Sequence, residues 1–149
     1  MNRNDYKITV LINSSLPDYR LFIDFMWGEG HNIDSDGDSD NPASRNWTYL
    51  YMKSREIENE VFSIDQTVKN SLVYEVTSSN EVIAKRAAYF LAKETNGKID
   101  YNDKMFQIDL FEHELGNDFD LTKALQRAAI SVWRKSSLEN PYPNLQEKK

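Results

Sequence analysis

The chain has 149 residues, 40% of them hydrophobic and 12% aromatic, with no cysteine and a formal net charge of −6. That length and composition suit one compact domain around a single core, and they exclude a disordered chain, a disulfide framework, thiol chemistry and cysteine-ligated metal. No window approaches the roughly 18 apolar residues of a membrane helix, and the polar start MNRNDYK offers no apolar region for a secretory signal, so the expected compartment is cytoplasmic.

Tyr6 to Ile12, YKITVLI, is rich in β-formers and predicts an interior strand covered on both faces. Ser15 is the expected N-cap of a helix from Leu16 to Trp27, with Pro17 in its first turn and Asp18 facing its dipole. Leu21, Phe22, Phe25 and Met26 form the inward stripe, and Gly28 ends it. Residues 28–46 have no periodicity and read as one long loop, a length usually kept for function. Its alternating Asp34, Asp36, Asp38 and Asp40 invite a calcium reading. Placing Asn32, Asp34 and Asp36 at positions 1, 3 and 5 of an EF-hand loop puts Gly37 correctly at position 6, but Ala43 falls where a bidentate Glu is needed. A calcium loop is therefore not expected, and a weak calcium- or small-ligand-binding module on these aspartates stays as the alternative.

WTYLYMKS, residues 47–54, predicts a strand, and Val61, Phe62 and Ile64 a possible short edge strand within 56–66. Residues 71–100 read as strand, helix, strand. Leu72 to Val76 form the first strand, Ser78 and Glu81 a capping box, and Ile83, Ala87, Phe90 and Leu91 one apolar stripe. Asn96-Gly97 is the left-handed stop, and Lys98-Ile99 opens the second strand. A turn at 101–104 leads to a strand from Met105 to Phe111. Asp118 or Asp120 caps a last helix whose Leu121, Ala124, Leu125, Ala128, Ala129, Val132 and Trp133 share one face; this stripe predicts core packing, or an alanine-rich dimer seam. The expected division is a single domain over 1–139 and a C-terminal tail over 140–149.

Glu112-His113-Glu114-Leu115-Gly116-Asn117 resembles an HExxH zinc motif, but Asn117 stands where the second His is required. His31 and His113 are the only histidines, no GxSxG elbow occurs, and the five glycines fit no phosphate-cradling loop. Carboxylates on solvated loops have nothing to raise a pKa into the catalytic range. The expectation is a protein that is not an enzyme and has no metal or cofactor; an uncharacterised enzyme with a pocket assembled from scattered residues stays as a further alternative.

Charge is unevenly spread. Residues 29–40 hold five acids and no Lys or Arg, as do residues 109–120; of 24 acids this leaves 14 against 18 bases elsewhere. Such a field repels nucleic acid and favours a basic protein partner. The expected partner-binding residues are Glu29, Asp34, Asp36, Asp38, Asp40, Glu112 and Glu114, gathered into one electronegative patch.

The order of elements predicts an α+β, ferredoxin-like (split βαβ) sandwich with an added hairpin strand and a C-terminal helix. Trp47-Thr48-Tyr49-Leu50-Tyr51, Ser54-Arg55-Glu56, Ala87-Ala88-Tyr89-Phe90-Leu91-Ala92 and Thr95-Asn96-Gly97-Lys98-Ile99 resemble small bacterial immunity proteins encoded beside polymorphic toxins. The resemblance covers about a third of the chain. It implies a stoichiometric inhibitor, monomeric or homodimeric, that blocks a toxin domain, often a basic nuclease.

Overall fold

The structure is a computed structural model that describes residues 5–28 and 30–145. It is an α+β fold built on one seven-stranded sheet in the order β2-β3-β4-β5-β1-β6-β7, with every neighbouring pair antiparallel. The strands are β1 Tyr6–Leu11, β2 Ile33–Gly37, β3 Tyr49–Ser54, β4 Val61–Gln66, β5 Val73–Ser78, β6 Lys98–Tyr101 and β7 Lys104–Phe106. Because β1 is antiparallel to both β5 and β6, those two run parallel with β1 between them, and helix α2 (Glu81–Thr95) joins them. The sheet is larger than a split βαβ unit alone.

One face of the sheet is the core. Ile8, Val10, Leu50, Met52, Phe62, Ile64, Tyr74, Val76 and Ile99 alternate into it, as the period of two demands. Helix α1 (Leu21–Met26) and α2 cover it with Leu21, Phe22, Phe25, Ile83, Phe90 and Leu91. Helix α4 (Leu121–Ala129) lies behind α1. Its buried Ala124 and Ala128 pack inside the chain, so the stripe that suggested a dimer seam is used for core packing. β1 itself is buried on one face only, not on both.

Several expectations are corrected. The first helix does not begin at Leu16. Residues 15–20 form an irregular segment in which Asp18 accepts hydrogen bonds from the Arg20 backbone N–H and guanidinium, so its carboxylate is spent on a buried ion pair rather than on a helix dipole. Residues 28–46 are not all loop, because Ile33–Gly37 is an edge strand; its polar sequence hid it. Val61–Gln66 is an interior strand, not an edge. Asn80 rather than Ser78 caps α2, accepting from the N–H of Val82 and Ile83, while the Ser78 hydroxyl donates to the Val61 carbonyl. The strand predicted to Phe111 stops at Phe106, and Ile108–Phe111 forms a short helix α3 that brings Phe111 edge-on to Phe106. Helix α4 ends at Ala129, and Val132–Lys135 continue as a 3-10 turn.

The junction after α2 follows the sequence. Asn96 takes φ 53° and ψ 40° as the left-handed cap. Gly97 is required for a different reason: a Cβ there would stand 2.4 Å from the Leu11 carbonyl oxygen and 3.2 Å from the Ile12 Cα. Both obstacles are backbone, so neither can swing aside. Gly97→Ala is expected to cost about 1–3 kcal/mol in urea unfolding, against less than about 0.5 kcal/mol for the exposed neighbour Lys98→Ala.

Candidate functional site

The expected residues do not form one patch. Asp34 and Asp36 lie on β2 at one edge of the sheet, and Asp38 and Asp40 follow it; Glu112 and Glu114 come after β7, which is the other edge. Glu29 lies outside the described residues. The second segment is also largely engaged within the chain. Glu112 accepts from the Tyr89 hydroxyl at 3.0 Å, Glu114 pairs with Lys85 at 3.0 Å, and Asp118 pairs with Arg86 at 3.2 Å. Two of its five acids, Glu114 and Asp118, meet cations because α2 places the adjacent Lys85 and Arg86 beside them, which sequence spacing cannot show.

The neighbouring Tyr101–Glu81–Lys85 cluster sets a pH response. The hydrogen bond from Tyr101 and the Lys85 ammonium hold the Glu81 carboxyl below its ordinary 4.5, although burial opposes them. Burial first, then Glu81, push the Tyr101 hydroxyl up to about 12. A depressed carboxyl stabilises the fold above its unfolded value and loses that contribution as pH falls; a raised phenol stabilises below 10.0 and loses it as pH rises towards about 12. The melting temperature should therefore fall below pH 4.5 and again above pH 10.0, with the alkaline fall smaller in Tyr101→Phe. Equal alkaline falls in both proteins would show that this phenol is not responsible.

The first segment is freer. Asp34 lies 3.6 Å from Arg55, with both side chains more than half exposed. Asp36 is exposed and accepts from the Gly37 N–H at 3.0 Å. Asp38 turns back to cap β3, accepting from the Thr48 hydroxyl and from the N–H of Thr48 and Tyr49. Burial works against its charge, but these bonds outweigh burial and keep the carboxyl below its usual range. Among the described residues no group of three or more His, Asp or Glu is placed to hold a metal ion.

What Asp34 and Asp36 do join is the face of the sheet that α1 and α2 leave open. Register puts Asp36, Tyr51, Ser63, Thr77 and Lys7 in one row across β2, β3, β4, β5 and β1. The adjacent row runs Tyr49, Asp65, Glu75, Thr9, Asp100 and Met105. Three carboxylates stand in that second row with no Lys or Arg. Asp65 and Glu75 are direct cross-strand partners, an arrangement that like charges make unfavourable. Burial raises the Asp65 carboxyl above its ordinary value, and the charges of Asp65 and Asp36 add to burial in raising the Tyr49 hydroxyl. Asp65, Glu75 and Asp100 were missed because each sits alone in its strand; the signal was the strict alternation of those strands, which places every second residue on one face.

Comparison of the chain with protein-family models, with curated proteins and with solved structures finds no match in any of the three. Among the described residues no helix is long and apolar enough to cross a membrane.

Proposed function

We propose that this is a non-enzymatic binding protein whose open, acidic sheet face takes a basic protein partner, in the manner of an immunity-type inhibitor that blocks a toxin domain inside the cell. The observation that carries it is the facing pair Asp65 and Glu75 in a row without a base. A sheet optimised for its own stability would put a lysine or threonine at one of these positions; the repulsion is relieved when a cation is brought in from outside. Tyr49 and Tyr51 supply half-buried aromatic area beside the carboxylates, a mixture typical of interfaces. The same field disfavours nucleic acid. The resemblance to immunity proteins supports the same class of partner, and the ferredoxin-like reading of β4, β5, β1, β6 and α2, with β2–β3 and β7 as additions, belongs to this proposal.

Affinity capture from the native host should yield a basic protein whose association rate falls about tenfold or more as salt rises from low ionic strength to 0.5 M. Asp65→Asn combined with Glu75→Gln should slow that association, while stabilising the free protein by about 0.2–1 kcal/mol through lost repulsion. A captured partner whose association ignores both salt and this double substitution would overturn the reading.

A further inference from the structure

The edge of the sheet beside this face has a definite hydrogen-bonding state. Arg55 N–H donates to the Asn32 carbonyl at 2.8 Å and Asp38 N–H to the Tyr49 carbonyl at 3.4 Å. In an antiparallel ladder hydrogen-bonded pairs recur at every second residue, so the backbone groups of Asp34 and Asp36 face β3 and those of Ile33, Ser35 and Gly37 turn outward. The outward Gly37 N–H is already taken by the Asp36 carboxylate. Ile33 and Ser35 present theirs to solvent, on a strand that is exposed from Asp34 onward.

Such an edge invites another strand. A second copy of β2 is a poor occupant, because Asp34 and Asp36 would meet their own kind across the new ladder. At the opposite edge, β7 has only three residues and begins with Lys104. Against β2, the backbone pairs of an added strand would form at Ile33 and Ser35, and its residues opposite Asp34 and Asp36 would fall in the closer, non-hydrogen-bonded pairs with side chains on the acidic face. Lysine or arginine is the complement at Asp36, which faces Tyr51; Asp34 already faces Lys53 across β3 and stands 3.6 Å from Arg55. The alternate side chains would point the other way, and a largely polar cleft of about 220 Å³ lined by Tyr19, Ser35, Asp36, Gly37, Tyr49 and Leu50 flanks the same strand. Backbone pairing supplies affinity in such an arrangement, and pockets for alternate side chains supply selectivity.

We infer that the basic partner docks by adding an extended segment to β2 as an eighth strand, with a cation over Asp36 and small alternate side chains beside the Tyr19–Leu50 cleft. This rests on the acidic-face reading and specifies how that face is approached.

The test uses two synthetic octapeptides of alternating lysine and valine, one unmodified and one N-methylated so that it keeps its charge but cannot pair with a strand edge. Titrated into the full-length protein and followed by amide NMR, the unmodified peptide should shift Ile33 and Ser35 saturably and slow their hydrogen exchange about tenfold at roughly 90% occupancy. The N-methylated peptide should not. Ser35→Pro removes an N–H that the β3 ladder does not use, so it should keep the melting temperature while abolishing the slowed exchange at Ile33. If that variant fails to fold, Asp34→Lys with Asp36→Lys serves instead, and should switch preference to a glutamate–valine peptide. Strand addition is overturned if both lysine peptides bind with one midpoint, if neither shifts these amides at millimolar concentration, if the shifts fall on Lys104–Phe106, or if the amides are already protected in a dimer of the free protein. Equal, salt-sensitive binding of both peptides over Asp65, Glu75 and Asp100 would leave the acidic-face reading standing alone, and loss of salt dependence would remove that too.

Discussion

Arg20→Ala is expected to reduce the unfolding free energy by about 3–5 kcal/mol, the loss typical of stripping one partner from a buried ion pair. Asp18 is fully buried and Arg20 is 7% exposed. The guanidinium donates to Asp18 Oδ1 at 2.9 Å and to Oδ2 at 2.7 Å, the Arg20 N–H donates to Oδ1 at 2.9 Å, and the Ser136 hydroxyl donates to Oδ2 at 2.6 Å. Alanine leaves that carboxylate without its counter-charge in a site water does not reach. It also exposes Trp133, whose ring lies 3.9 Å beneath the guanidinium. Arg20→Lys keeps the charge but loses the two-pronged geometry and the stacking, and should fall between wild type and alanine. Urea unfolding checks both; a loss under about 1 kcal/mol for alanine would mean that water or another cation takes over the site.

Phe22→Ala should be of similar size, about 3–5 kcal/mol, for an apolar reason. The ring is fully buried, with Phe90 of α2 at 4.9 Å, Phe62 of β4 at 5.8 Å and Trp47 at 6.3 Å between centroids. It therefore joins α1, the sheet, α2 and the segment before β3, four parts that cannot all close on the gap at once. Phe22→Leu retains most of the volume and should cost well under half as much. Equal losses for the two substitutions, measured in urea, would point to a lost aromatic geometry rather than to a cavity.

Much of this fold was legible where a periodic pattern coincided with a stop. Helix α2 and its Asn96 cap, the stop of α1 ahead of the positive-φ Gly28, the end of β3 at Ser54, and the Asp120 cap of α4 all follow from local chemistry. Most of the failures arose where a partner outside the local pattern overrode a local preference. Asp18 resembles a helix-start residue until Arg20 and Ser136 claim it. IDSDG resembles a loop until its backbone pairs with β3. The acidic row was illegible too: Asp65, Glu75 and Asp100 are separated by 10 and 25 positions in sequence, and only sheet order puts them in one row, with Thr9 between the last two.

The seam around α1 also dictates an order of assembly. The carbonyls of Asp24 and Phe25 at the end of α1 accept from the Arg127 guanidinium at 2.7 and 2.9 Å, and Asp18 receives its last hydrogen bond from Ser136, 118 positions downstream. A ribosome-bound chain that has not yet made residue 127 has neither ligand. Its first helix is thus left without these groups, and the segment from Asp18 to Phe25 stays provisional until residues 127 and 136 have been synthesised.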